Sequence, residues 1–366
     1  MSSTKSIWQR FDWILFFGCV ILIVFGFLMI RSATLGAIDP TLISRLPDQM
    51  LYGGIGLFAI FGIAAVDYRL LAGLRMWLYL LMVGLLLMVP FFGVVGDAGA
   101  RRWLNIGILI QPSEFGKLII IITLGYHLSV TYTKLDSLVT VLRSLLHVGV
   151  PISLIFIQPN LGTTIVYVVI WIVMLWGAGL RLKHIMLGLA IVLIAAPVLW
   201  SQMQPYQKSR VTTFLNPAGD PDAYFNIRQA LISIGNGGFW GRGYANGTQG
   251  QLRFLRVRHT DFIFSQIAEE FGFVGSVAVI TLLGVVIFRI LRGAHTAVDP
   301  LGSLICYGIA ANIFFQTAVS IGMNLSLMPV TGLTLPFISS GGTSLLSIMA
   351  SIGLAQSVII RRQQLM

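Results

Sequence analysis

The sequence predicts an all-α, polytopic membrane protein with about ten transmembrane helices and a large extracellular loop between helices seven and eight. Three observations carry that reading. Of 366 residues, 56% are hydrophobic and only 10% are charged, and the mean hydropathy is +0.87. Apolar runs of about eighteen residues or more recur, which a soluble core does not require. Basic residues also sort into alternate segments between those runs, as membrane topology demands.

The expected helices run roughly 12–30, 49–66, 72–92, 111–130, 138–157, 162–178, 184–204, 262–290, 301–324 and 339–360, with ends uncertain by about four residues. The first, from Trp13 to Ile30, is long and lacks a small-residue cleavage pattern, so it reads as a retained span. Arg143, His147, Gly149 and Pro151 interrupt the fifth. With a cytoplasmic N-terminus, the inside segments carry Lys5, Arg10, Arg69, Arg75, Lys134, Arg143, Arg181, Lys183, Arg289, Arg292, Arg361 and Arg362. Each inside segment then holds two cations, and both termini are cytoplasmic. Residues 1–366 form one integral-membrane domain without internal repeats or low-complexity linkers. Cys19 and Cys306 fall in separate apolar runs, suggesting neither a disulfide nor a metal framework.

The loop from about 205 to 261 departs from this sorting. It carries Lys208, Arg210, Arg228, Arg242, Arg253, Arg256 and Arg258 against Asp220, Asp222 and Asp261. Arg101 and Arg102 add two cations to a short outer loop. The net charge of +11 is therefore of two kinds: cytoplasmic charges that set topology, and an outer cluster suited to an anionic ligand at the membrane. That setting points to membrane lipids and not to nucleic acid. The glycine-rich run from Gly235 to Gly247 has no strand before it and no helix after it in a βαβ unit, which argues against dinucleotide binding. A folded extracellular loop with tight turns is the expectation.

The most informative run is Arg258-His-Thr-Asp-Phe-Ile-Phe-Ser-Gln-Ile-Ala268, followed by Glu269-Glu270, where the long loop enters the eighth helix. Acids among apolar flanks are expensive in a bilayer, so each invites a function. Asp261 stands at the lip. Ser265 and Glu269 follow it at four-residue spacings, which would share one helix face. Glu269 would then lie about 12 Å below Asp261 at 1.5 Å per residue, too deep for chemistry at the lip. A buried, hydrogen-bonded role suits Glu269 and Glu270, with cavity lining as the alternative.

This run, together with Gly99-Ala-Arg-Arg-Trp-Leu-Asn105, Gln111-Pro-Ser-Glu-Phe-Gly-Lys-Leu118, Gln158-Pro-Asn-Leu-Gly-Thr163 and Pro329-Val-Thr-Gly-Leu-Thr-Leu-Pro-Phe-Ile-Ser-Ser-Gly-Gly-Thr-Ser344, resembles the SEDS family. Order and spacing match over nearly the whole chain. Trp240-Gly-Arg-Gly-Tyr-Ala-Asn-Gly-Thr-Gln249 looks more like the elongation branch of that family than the division branch. The resemblance implies a peptidoglycan glycosyltransferase of the bacterial cytoplasmic membrane. It would polymerise lipid II at the outer face of that membrane, with lipid II and the nascent glycan strand as its partners, beside a class B penicillin-binding protein that crosslinks the product. Two departures stand out. Asn160 replaces an acid common in the family, and Leu255-Arg-Val257 replaces a frequent Pro-Glu pair, exchanging an acid for a cation.

Extending a glycan from a polyprenyl-pyrophosphate donor requires a base for the acceptor hydroxyl and cations for the departing pyrophosphate. Inversion needs one carboxylate only, because pyrophosphate leaves without a proton, unlike the leaving group in a glycosidase. Asp261 is the expected catalytic base; the competing reading makes it a helix N-cap. Arg102, Lys117 and Arg210 are the expected pyrophosphate contacts, Arg210 with the alternative of a snorkelling interface residue, and Arg258 is an expected substrate-binding residue. Glu114 and Lys117, three apart on one helix, either neutralise each other or leave Lys117 to the substrate. His259 either orients Asp261 or is solvated. Trp103 reads as an interfacial anchor, and Gly341-Gly342 as a close packing or a broken helix start. No residue cluster has metal-ligand spacing, so a divalent cation, Mg²⁺ or Mn²⁺, would be held mainly by the pyrophosphate. The runner-up function is a lipid II flippase, which would also use intramembrane acids and broken helices. A pure scaffold leaves the outer cations without a purpose.

Overall fold

The computed structural model describes the chain apart from residues 1–7, 37–38, 96–100, 106, 132–137, most of 181–199, 220, 252–257 and 363–366. Among the described residues, the long helices that come first are α1 (Trp13–Thr34), α2 (Arg45–Ala65), α3 (Arg75–Phe92), α4 (Pro112–Val130), α5 (Leu138–Ile157) and α6 (Leu161–Gly177). Two shorter ones, α7 (Pro205–Leu215) and α8 (Pro221–Gly237), occupy the long loop. The last three are α9 (Ile263–His295), α10 (Pro300–Asn324) and α11 (Gly342–Ile360). Every expected span except the seventh therefore has a helix within a few residues of its expected place; the seventh, 184–204, lies mostly outside the described residues. So do Lys5, Asp97, Lys134, Arg181, Lys183, Asp220, Arg253, Arg256 and the Leu255-Arg-Val257 departure.

Among the described residues, seven helices are long and apolar enough to cross a membrane. At α4 the polar residues Glu114, Lys117 and His127 dilute the apolar run, and α6 has only 17 residues. Large side chains such as Phe58, Trp77, Phe91 and Leu146 point outward, as a lipid-facing surface requires. Lipid gives apolar helices no solvent-driven reason to associate, so close packing has to hold the bundle. At the centre, α11 is buried along nearly its whole length. Small residues let it approach α2: a Cβ on Gly353 would sit 2.9 Å from the Ile60 carbonyl oxygen, and one on Gly342 would strike the Tyr52 ring. Gly342 is also the first residue of the helix, so the close packing expected of the glycine pair is observed.

Helix starts follow ordinary capping chemistry. Asp12 accepts from the Leu15 N–H at 3.0 Å, and Asp299 accepts from Gly302 N–H at 2.8 Å beside Pro300. Asp12 does more at the end away from Asp261. Its carboxylate holds Arg289 at 2.6 Å, and its backbone exchanges two hydrogen bonds with the Gln356 side chain. That knot ties α1, α9 and α11 together.

Two connections differ from expectation. The short outer loop after α3 contains a small antiparallel sheet: β1 (Val94–Val95), β2 (Arg101–Asn105) and β3 (Leu109–Ile110), in the order β1-β2-β3. Strands of two to five residues carry too little periodicity to be read from sequence. The long loop is largely helical, with α8 lying against α9.

Helix α9 is broken at Gly272, whose φ of 67° and ψ of −161° belong to a region only glycine occupies. A break in a membrane helix frees backbone groups that must be satisfied. The glycine-rich run supplies the partners. Phe273 N–H donates to Gly238 O at 2.9 Å and Val274 N–H to Phe239 O at 3.2 Å. Arg242 and Gly243 N–H donate at 2.9 Å to the carbonyls of Glu269 and Glu270. A Cβ on Gly272 or Gly241 would collide with the opposing backbone. The run is thus a plug for the helix break.

Candidate active site at the head of α9

Asp261 lies in a turn spanning Arg258 to Phe262, immediately before α9. It is therefore not on the helix, and the expected shared face with Ser265 and Glu269 does not exist. The turn is anchored from several sides. Arg258 Nε donates to Ala33 O at 2.7 Å, at the end of α1. The next three carbonyls each accept a bond: His259 O from Ser340 N–H at 2.9 Å, Thr260 O from Ser339 Oγ at 2.9 Å, and Asp261 O from Asn324 Nδ2 at 2.8 Å. Gln49 in turn holds the Ser339 carbonyl at 3.1 Å and the Gly341 N–H at 3.0 Å. Anchoring of this kind locks a side chain's starting point.

The N-cap position of α9 is Phe262, and no side chain from that residue caps the helix. Asp261 keeps part of its surface open, while Arg258, His259 and Phe262 beside it are buried. Burial pushes its carboxyl above the ordinary aspartate value; the Arg210 charge and a hydrogen bond from Thr260 pull it back, without cancelling the rise.

Arg210, on α7, also borders a narrow cleft of about 20 Å³. Arg102 from β2, Pro159 and Asn160 ahead of α6, Gln207 from α7 and Thr331 line the same cleft. Arg102 Nη2 donates to Pro159 O there. Asn160 accepts from Thr163 N–H at 3.4 Å as the N-cap of α6, a job an aspartate could also do. Arg210 thus links segments more than fifty residues apart: it shares the cleft with Arg102, and its charge acts on Asp261. Two guanidinium groups at one cleft, one of them acting on a carboxylate whose pKa burial raises, suit a reaction in which a sugar–pyrophosphate bond breaks.

Other expected contacts sit differently. Lys117 Nζ meets Glu114 Oε2 at 2.7 Å, both buried within the bundle, and neither borders the cleft. Arg258 and His259 are buried too, with Arg258 Nε committed to α1; the alternative of a solvated His259 does not hold. Glu269 accepts from Thr248 Oγ1 at 3.1 Å and from Gln249 N–H at 2.9 Å. Glu270 accepts from Gln266 Nε2 at 2.9 Å and from Ser32 Oγ. Both acids thus hold structure, as expected. Among the described residues no group of three or more His, Cys, Asp or Glu could hold a metal ion.

Sequence reasoning passed over Asn324, Ser339 and Gln49. Each is a buried polar residue at or near a membrane helix, and that cost of burial was the available signal.

A family model described as "Cell cycle protein", covering FtsW, RodA and SpoVE, matches residues 13–364. Peptidoglycan glycosyltransferase MrdB of Escherichia coli K12 is 36% identical over 352 residues, covering 94% of this chain and 92% of that protein. Stage V sporulation protein E of Bacillus subtilis is 37% identical over 321 residues, 85% of each chain. Among solved structures, one described as "Structural coordination of polymerization and crosslinking by a peptidoglycan synthase complex" aligns with a TM-score of 0.82 at 31% identity, over 97% of this chain and 99% of that one. Thermus thermophilus rod shape determining protein RodA aligns with a TM-score of 0.71 at 30% identity, over 98% and 99%. The chain belongs to the FtsW/RodA/SpoVE family, the SEDS proteins.

Proposed function

We propose that Asp261 is the general base of an inverting glycan polymerisation whose substrate is lipid II. The chain is a peptidoglycan glycosyltransferase that serves cell shape. Asp261 Oδ takes the proton of the acceptor sugar's hydroxyl as that oxygen attacks the donor's anomeric carbon. The bond from that carbon to the pyrophosphate oxygen breaks, and its electron pair leaves with undecaprenyl pyrophosphate. Attack from the face opposite the leaving group turns an α-linked donor into a β-linked product. Arg210 and Arg102 sit where they would bind the growing charge on the pyrophosphate. A divalent cation would find its ligands chiefly on that pyrophosphate.

One observation carries the reading: a largely buried carboxylate, its pKa raised by that burial, lies within reach of the Arg210 charge in a turn whose backbone is fixed on three sides. A partly desolvated carboxylate is a stronger base than an aspartate in water. The flippase alternative draws on the break in α9, but that break is closed by backbone hydrogen bonds. The reaction face belongs outside the cytoplasmic membrane, with both termini inside, on the strength of the cation sorting. A crosslinking class B penicillin-binding protein is the fitting partner, supported by the synthase complex that this chain resembles. The test is reconstitution with purified protein and labelled lipid II, with and without the partner. Glycan product supports the transferase, whereas transbilayer movement of lipid II without any product would replace it with the flippase.

A further inference from the structure

We infer that Asn324, the last residue of α10, is a positioning residue for Asp261. The inference rests on the base reading above and deepens it. Asn324 is fully buried, and its amide is saturated. Its Nδ2 donates to Asp261 O at 2.8 Å and to Ser320 O at 2.7 Å. Its Oδ1 accepts from Ser265 N–H at 2.9 Å and from Ser265 Oγ at 2.7 Å. A carboxamide has two N–H donors and two acceptor lone pairs, so nothing is left over. The orientation is fixed as well, because a backbone N–H only donates and a carbonyl only accepts.

Ser265 is the third residue of α9, and its N–H is one of the orphan donors that an N-cap side chain normally takes. Here a neighbouring helix supplies the acceptor. Asn324 therefore caps α9 across the helix interface, which releases Asp261 from capping, and the other half of the same amide grips the Asp261 carbonyl. One side chain both frees the carboxylate and fixes its origin.

Asn324→Asp isolates the second role. A carboxylate keeps the shape and still accepts from Ser265, so the cap survives, and negative charge near a helix start is favourable. It offers no donor to Asp261 O, and places an acceptor against it. Initial polymerisation rates should be measured across lipid II concentrations, with thermal unfolding in detergent alongside. The expected result is a kcat about 10²-fold lower, the scale of a small misplacement of a catalytic group, with KM essentially unchanged. A kcat equal to that of the unsubstituted protein overturns the inference, and so does a loss confined to KM. If Asn324→Asp does not fold, Ser265→Ala decides: it removes one of the four bonds and should lower kcat about two- to tenfold at unchanged KM. An undiminished kcat in Ser265→Ala then overturns the inference. Asp261→Asn runs in parallel. If Asp261→Asn is inactive while Asn324→Asp is fully active, only the positioning role fails; if Asp261→Asn is fully active, the base reading itself has failed.

Discussion

Aspartates at helix entrances usually give their carboxylates to the backbone, and this chain shows the habit four times. Asp12, Asp39, Asp67 and Asp299 each accept from an N–H two or three residues on. Asp261 stands at a comparable place without serving as the N-cap of α9. The contrast within one chain is what separates a catalytic candidate from a cap. The Arg210 charge lowers the Asp261 pKa while burial raises it. A base must be ionised to take a proton, so the rate should fall as pH drops through that pKa. Arg210→Gln removes a stabilising cation, leaves burial to act, and should move this acidic limb to higher pH. A pH–rate profile of the variant whose acidic limb is unmoved, or moved down, would contradict the pairing. Arg102→Ala should weaken lipid II binding by about 1–3 kcal/mol, as for loss of a hydrogen bond to a charged group; unchanged affinity in a direct binding assay removes Arg102 from the site. Asp261, Arg102 and Arg210 were legible in the sequence because charge near a membrane is conspicuous. Asn324 and Ser339 were not, since they reach the turn from 63 and 79 residues away.

At the scale of elements, the long apolar helices were legible for the same physical reason that they cross a membrane: each needs about twenty apolar residues. The break in α9 was not. Phe271-Gly272-Phe273 looks like any stretch of a membrane helix, where glycine is common. Only the plug formed by the glycine-rich run reveals that the helix stops and restarts. Gly272→Ala would force a Cβ into the left-handed region and against the backbone of Gly241. It should cost on the order of 1–3 kcal/mol, read as a lowered unfolding temperature in detergent. An unfolding temperature equal to that of the unsubstituted protein would mean the break tolerates a side chain. The charged pair Glu114–Lys117 was anticipated from its three-residue spacing, and the structure shows it formed and buried within α4.

At the scale of the whole molecule, the bundle is closed at one end by the Asp12–Arg289–Gln356 knot and presents Asp261 at the other. In the orientation proposed above, the knotted end lies in the cytoplasm. Tags at Met1 and Met366 should therefore both resist an external protease in intact spheroplasts, and cleavage of either would reverse the assignment of every loop. The central claim, that Asp261 is the base, is tested most directly by gel-resolved polymer from reconstituted protein and labelled lipid II, comparing Asp261→Asn with the unsubstituted chain. Asparagine keeps the size and still suits a helix entrance, so assembly and lipid binding should persist while the rate falls by roughly 10²–10⁴. Equal polymer from both proteins would contradict the account.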